Sequence, residues 1–548
     1  MPLRFKSFVF ELATLLLICG CSHGWPTYRS GSHRTGNQEY ASPLSDPNEV
    51  PKLGVGWVWP SSGSEGGFFR SSPVVFRDKV FIGSSRGFFY ALDAKTGNKL
   101  WQFPDPGLPL IGSCSRYGSY GIQASATRAR IKGHDAVIFG APDPAVESGL
   151  GSARLYALNA ATGKQIWASD VVAHVTGCTP LDLVELHERI ADSSPLVHEG
   201  RVYVGVHDTG DDPIQNGKVV AVDLETGEII PSFSYVSTCT RGGGVWNAPA
   251  SDGKGVYFTT GNTSSWNGGG SQSEPCINNG LSLLRVDPES GAITWRFQPV
   301  PFALDDDPDW SAGAAVMHSS CGELIESAQK DGWTYAVNAD TGRCTWQFPA
   351  TNEPSCTFPP NGPHQHGDKD YKQPGAVWGD VLVIKAAGWG RIVPDPVGAS
   401  AGYARLHALN ACGPDSQRVR WILDIPDAAA GDGYALGAPT VSGGVIYVTT
   451  DAVHGSQGHV VAIADPSLRP AVEFQCTFEF INPTNTGPLW ATVCVSMGFQ
   501  LVPKPQVLAD VALPDGADAS GLRNEAAIAD GRLFVATGGG HVYALWPK

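Results

Sequence analysis

The chain has 548 residues and a formal net charge of -15; only 17% of residues are charged, 42% are hydrophobic, and Gly 66 with Pro 41 make up about a fifth. Too few charged helix formers are present for coiled coils or helical bundles, and too much apolar material for a disordered chain. The acidic balance leaves no basic excess to neutralise phosphates, which argues against a nucleic-acid groove, and a large, turn-rich, all-β class is the expectation.

In chain order, the first element reads as an export signal over residues 1–21. Arg4 and Lys6 precede an apolar run from Phe8 to Ile18, broken only by Glu11 and too short to span a bilayer as a helix. Ile18-Cys19-Gly20-Cys21 resembles a bacterial lipobox with Cys21 as the lipidated residue; an ordinary cleavage near Ser22-His23-Gly24 is the other ending. No later segment has the apolar length to enter a membrane.

From Trp25 to the C-terminus one phrase recurs. It reads YALDAKTGNKLWQF at Tyr90, YALNAATGKQIW at Tyr156, VAVDLETGEII at Val220, LRVDPESGAITWRF at Leu284 and YAVNADTGRCTWQF at Tyr335. Weaker copies start at His407, Val461 and Tyr543. Each phrase is a strand, an Asp/Asn-x-x-T-G turn and a second strand often closed by Trp; the Gly supplies positive φ and the Asp or Asn bonds its own turn. Another hairpin precedes most copies, as in SSPVVFRDKVFIGSS at Ser71 and SSPLVHEGRVYVGV at Ser193. One unit is therefore four antiparallel strands, A to D. Such a sheet cannot bury both faces alone, and radial stacking of the eight copies gives an eight-bladed β-propeller over residues 25–548. The last copy stops after its third strand, so the stretch after Trp25 is expected to supply the fourth and close the ring. In such a meander the B–C turns and D–A crossovers all open on one face, where residues far apart in sequence converge.

Beyond Cys19 and Cys21, ten of the 12 cysteines remain, an even set that favours disulfides in an exported chain. No C-x-x-C pair occurs, so zinc ribbons, thioredoxin chemistry and covalent C-x-x-C-H haem are excluded from these residues.

The A-x-D-x-x-T-G-x-x-x-W phrase resembles the tryptophan-docking repeat of the quinoprotein alcohol dehydrogenases that bind pyrroloquinoline quinone (PQQ). It is also similar to the repeat of the outer-membrane assembly lipoprotein of the BAM complex, a propeller without a cofactor. The opening GWPTYRSGSHRTGN at Gly24 is similar to both. The segment from Gly242 to Gly332 separates them. GGGVWNAPASDGKGVYFTTGNTSSW at Gly242 resembles the dehydrogenase stretch in which a Trp floors the PQQ site and an Asn ligates Ca²⁺, which implies those roles for Trp246 and Asn262. DDDPDWSAGAAV at Asp305 resembles the loop of the catalytic, metal-ligating Asp and implies Asp309; AQKDGWTYAVNADTG at Ala328 implies Lys330 as the cation on the quinone oxygens. The wording is most similar to the polyvinyl-alcohol dehydrogenase-like group, without its cytochrome domain.

Two departures stand out. The family's Glu ligand belongs in the third B–C loop, which here reads GVHDTGDDPIQNG from Gly205 and offers Asp211 or Asp212 instead, Asp211 being preferred. The vicinal cysteine pair of methanol dehydrogenase-like members is absent, Cys114 standing alone in GSCSR. Position in the repeat agrees with the resemblance: Trp246 and Asp309 lie in D–A crossovers, Asn262 follows a B strand and Lys330 lies in a B–C turn, all on one face.

The residue types suit the chemistry the resemblance implies. Ca²⁺ takes hard oxygens from amide and carboxylate, a carboxylate can remove a hydroxyl proton, a cation stabilises charge on a reduced quinone, and an indole stacks on a flat cofactor. Ser311, two residues after Asp309, adds no carboxylate, so the charge count favours Ca²⁺ over a trivalent lanthanide. The expected protein is a periplasmic or secreted PQQ- and Ca²⁺-dependent dehydrogenase, lipid-anchored if Cys21 is modified. It would oxidise a small or polymeric alcohol and pass electrons to a separate acceptor such as a cytochrome c. A non-catalytic propeller scaffold is the alternative.

Overall fold

The computed structural model describes residues 24–39, 43–60, 67–113, 120–177, 188–208, 216–237, 242–262, 279–299, 309–330, 333–348, 356, 374–388, 403–425, 436–450, 458–467, 471–474, 501–514 and 525–548. Eight antiparallel sheets follow one another along the chain. Blade 1 runs from Val74 to Phe103, blade 2 from Thr127 to Ala168, blade 3 from Glu188 to Val236 and blade 4 from Ala250 to Phe297. Blade 5 runs from Ala315 to Phe348, blade 6 from Ala376 to Asp424 and blade 7 from Thr440 to Ala512. Within blade 7 a two-stranded ribbon, Ala471–Phe474 with Leu501–Lys504, is inserted between strands C and D.

Blade 8 has three strands from the C-terminus, and Leu53–Trp59 supplies the fourth, pairing Gly54 with Trp546 and Val58 with Tyr543. The ring therefore closes as expected, but with a strand well beyond Trp25. The residues directly after Trp25 do something the repeat does not encode. They form a hub that touches every blade. Trp25 pairs with Val75 of blade 1, and the Arg128 amide of blade 2 donates to the Pro26 carbonyl (2.7 Å). The amides of Ser251, Val316, Val377 and Val441, in blades 4 to 7, donate to the carbonyls of Ser32, His33, Thr35 and Gly36 (2.8–2.9 Å).

Two fully buried arginines complete this hub. Arg34 donates from Nε to the Pro249 carbonyl (2.9 Å) and from Nη2 to the Pro195 carbonyl (3.0 Å), spanning blades 3 and 4. Arg29 reaches the carbonyls of Gly375 and Pro439 (both 2.7 Å) and pairs with buried Glu525 at 2.8 Å, spanning blades 6 to 8. Gly36 is required beside it: at φ 61° a Cβ there would stand 2.2 Å from Arg29 Nη2.

The repeated turn works as its residues suggest, and its Trp does more. In blade 1 the Asp93 carboxylate accepts from the Lys95 and Thr96 amides (3.0 and 2.8 Å), and Gly97 sits at φ 74°. The Trp closing each D strand docks on the turn of the next blade. Its indole N–H donates to a carbonyl there: Trp57 to Ala94, Trp101 to Ala160, Trp167 to Leu224, Trp295 to Ala339 and Trp346 to Ala411. The same indole covers the turn glycine, so that a Cβ at Gly97, Gly163, Gly227 or Gly342 would meet it at 2.6–2.8 Å. The D strands of blades 3 and 7 have no such Trp, and the Ser234 backbone of blade 3 fills the place over Gly291.

Cys321–Cys412 joins the A–B turn of blade 5 to the C–D turn of blade 6, and Cys344 is bonded to Cys356. The other six cysteines of the body lie outside the described residues. The export signal with Cys21 also lies outside them, and no described helix is long and apolar enough to cross a membrane.

Candidate active site

Three strand ends and two crossovers bring the candidate residues together. The triple glycine before Trp246 allows close backbone approach. The Gly217 amide donates to the Gly242 carbonyl (3.0 Å), the Gly243 amide to the Asn262 carbonyl (2.8 Å) and the Gly261 amide to the Gly244 carbonyl (2.8 Å). These bonds lay the Trp246 crossover along the end of strand B in blade 4, where Asn262 is buried. The next crossover is anchored by Trp310, fully buried against Tyr335 (centroids 5.7 Å apart) and Phe297 (6.3 Å). Trp310 also bridges Gln329, and the Lys330 amide donates to the Asp309 carbonyl (3.0 Å), so Asp309 is held against the end of strand B in blade 5.

The side chains then meet. Lys330 Nζ lies 2.8 Å from Asp309 Oδ1, both side chains being at most a tenth exposed. The same ammonium stands 5.6 Å from the Trp246 ring centroid, over the indole. Gly261 leaves the space between them: a Cβ there would stand 3.5 Å from Asp309 Oδ2 and 3.6 Å from Trp246 Cδ1. Buried Asp309, Lys330 and the Gly261-Asn262 corner thus form one cluster with half-buried Trp246. Lys330 compensates a carboxylate that would be costly to bury alone. Ser311 is buried and its hydroxyl donates to the Ala328 carbonyl (3.3 Å), so it serves the strand end.

Asp211 lies outside the described residues, as does Asp212. Among the described residues no group of three His, Cys, Asp or Glu side chains is set to hold a metal. Asn262 and Asp309 are hard-oxygen donors of the kind Ca²⁺ takes, and a complete shell needs oxygens from elsewhere.

Asn247 was not singled out by its sequence, yet it joins the site's segments. Its Nδ2 donates to the Trp310 carbonyl (2.9 Å), next to Asp309, and to Thr259 Oγ1 (3.1 Å) on the strand leading to Asn262. Its own carbonyl accepts from Ser193 Oγ (3.2 Å). The only available signal was adjacency to Trp246.

The family model described as glucose/ethanol/alcohol dehydrogenase, beta-propeller domain (PQQ), matches residues 25–306, just over half of the chain. That span includes Trp246 and Asn262 and ends before Asp309. The dehydrogenase subunit of the alcohol dehydrogenase (quinone) of Gluconacetobacter polyoxogenes is 26% identical over 360 residues, covering 58% of this chain and 44% of that protein. The polyvinylalcohol dehydrogenase of a Sphingopyxis species is 23% identical over 374 residues, covering 59% and 50%. The chain thus spans about half the length of these relatives. Among solved structures, the quinohemoprotein alcohol dehydrogenase of Comamonas testosteroni superposes with a TM-score of 0.60 at 17% identity, over 95% of this chain and 80% of that one, a likeness of fold. By the family match, the chain belongs to the PQQ-dependent alcohol dehydrogenase family of β-propellers.

Proposed function

We propose that this chain is an exported quinoprotein dehydrogenase that binds PQQ and Ca²⁺ and oxidises an alcohol to a carbonyl. The observation that carries this reading is the cluster of buried Asp309 and Lys330 with half-buried Trp246 around Gly261 on the family's propeller. The residues fit the group. Trp246 offers a flat face for a flat tricycle, Lys330 a cation for its oxygens, and Asn262 with Asp309 hard oxygens for the metal, Asp211 being the further ligand proposed. When bound, the quinone supplies the two-electron acceptor that the side chains lack.

Asp309 takes the proton of the substrate hydroxyl at its carboxylate. Lys330, paired with Asp309 in this structure, holds that carboxylate in place and presents its ammonium to negative charge nearby. Trp246 lies under the Lys330 ammonium, and buried Trp310 anchors the crossover that carries Asp309. A separate acceptor such as a cytochrome c is the electron sink proposed with this reading. The residues before Trp25 support export, with Cys21 as the site of a lipid anchor or cleavage just beyond it. Membership of a dehydrogenase family weighs against the scaffold alternative.

Dye-linked alcohol oxidation after reconstitution with PQQ and Ca²⁺ or La³⁺ tests the reading. Asp309→Asn should lower turnover by about 10²- to 10⁴-fold while the propeller still folds, as for loss of a general base. Wild-type turnover in that variant, or activity with La³⁺ alone, would sink it.

A further inference from the structure

Gly24 and Trp25 are fixed firmly to blade 1. Trp25 is fully buried, exchanges backbone bonds with Val75 (2.7 and 2.8 Å) and donates its indole N–H to Glu525 (3.2 Å). The Gly24 carbonyl accepts from Gln38 Nε2 (2.8 Å). Because Trp25 and Val75 pair antiparallel, Gly24 stands beside Phe76, the last residue of strand A; a Cβ on Gly24 would lie 3.4 Å from that of Phe76. The next two residues, Arg77 and Asp78, make the A–B turn. A–B and C–D turns open on the face opposite the candidate active site, so Gly24 joins the propeller at that face. It does so near the middle, since the A strands of blades 1, 2 and 4 to 7 are the ones that meet the hub.

Only three peptide links separate Gly24 from Cys21. Fully extended they reach about 11 Å. The strand Leu53–Trp59, which runs from this face to the funnel, has seven residues and spans about 23 Å. A chain held to a bilayer through a lipid on Cys21 therefore cannot turn its funnel to the lipid. The tether would have to cover the height of a blade and pass around the rim.

The turns around Gly24 also suit a lipid surface. In a chain of net charge -15, exposed Lys95, Lys132 and Lys164 stand on the turns of blades 1 and 2 at this face, and exposed Lys52 and Lys548 meet where blade 8 closes. Asp78 and Glu49 offset two of them, lying 3.8 Å from Lys95 and 2.9 Å from Lys52. Lysines held against a bilayer are attracted to anionic headgroups.

We propose that the protein, anchored through Cys21, lies with this face on the bilayer and its funnel opening away from it. The proposal rests on the lipid anchor, the first of the two endings given for the export segment. The funnel mouth then stands about a blade's height from the lipid, open to a substrate and an electron carrier that arrive through water.

The test uses the full-length protein, processed in a bacterial host and reconstituted in vesicles of phosphatidylethanolamine and phosphatidylglycerol. Intact mass reads whether the mature chain starts at a lipid-modified Cys21. A water-soluble acetylating reagent then labels lysines, and hydroxyl radicals label Leu108, which is 70% exposed on the funnel-side crossover between blades 1 and 2. Relative to a soluble form starting at Ser22 and mixed with the same vesicles, labelling of Lys95, Lys132 and Lys164 should fall several-fold. That of Leu108 should not change. A long Gly-Ser linker inserted after Cys21 should restore lysine labelling, because a flexible tether no longer fixes the orientation.

A mature chain without lipid overturns the anchor and the membrane face together. A lipidated chain with Leu108 shielded, or with lysine labelling equal to that of the soluble form, keeps the anchor and overturns the orientation. Lysines still shielded behind the long linker would overturn the short tether as its cause.

Discussion

Asn247 shows how the site is held at the residue scale. One amide group ties the carbonyl beside Asp309 to the strand leading to Asn262, while its backbone flanks Trp246. Asn247→Ala should strip two buried acceptors of their donor and destabilise the fold by about 1–3 kcal/mol. It should also lower turnover while Lys330 and Asp309 remain in place, so melting and steady-state kinetics must both move. Loss of stability with unchanged turnover would make Asn247 a packing residue only. Trp246, Asn262, Asp309 and Lys330 could be named as candidates from the sequence because each stands in a recognisable stretch at a loop position of the repeat. Asn247 was not. Its role depends on which neighbouring segment it meets, and no local pattern encodes a partner sixty residues away.

At the scale of the element, the turn motif was readable and its purpose only half so. Asp, Thr and Gly announce the hairpin, but the Trp closing the D strand acts on the following blade, covering a glycine that was expected to matter only for its φ. Trp346→Phe keeps the ring and loses the bond to the Ala411 carbonyl, so it should cost about 1 kcal/mol in chemical denaturation. Gly342→Ala should cost more, because both the backbone conformation at φ 66° and the Trp295 indole oppose a Cβ.

The weak blade 7 copy replaces the alanine of the motif by Asp465, which accepts from the Trp421 indole (2.9 Å) and from Arg420. Burial opposes ionisation of Asp465, but hydrogen bonds from Arg420, Trp421 and Ser467 outweigh it and hold its carboxyl below the ordinary value. Its contribution is therefore present above the unfolded pKa and fades as pH falls through the lower folded one. Asp465→Asn should flatten the acid limb of the stability profile below about pH 4. An unaltered limb would show that Asp465 does not drive it.

For the whole molecule, the repeat count and spacing made eight blades readable, and the missing last strand made ring closure readable. The hub was not, because GWPTYRSGSHRTGN carries no strand period: its backbone bonds go to six different sheets instead of one, and its side chains reach the other two. Arg29 and Glu525, 496 residues apart, join the two ends of the propeller in its buried centre. Glu525→Ala leaves Arg29 buried and uncompensated and should cost about 3–5 kcal/mol. A thermal melt within a degree of wild type would mean that the hub does not hold the ring closed.

The hub lies at the axis and the candidate active site on one face, so a destabilised hub should weaken ligand binding only through unfolding. The claim that this face holds a quinone is most directly tested by native mass spectrometry of the apo protein mixed with PQQ and Ca²⁺. The expected spectrum shows one PQQ and one calcium on the folded wild-type chain, with the calcium lost from Asp309→Asn. A folded wild-type chain that retains neither, under conditions where an established quinoprotein dehydrogenase loads both, would contradict the account.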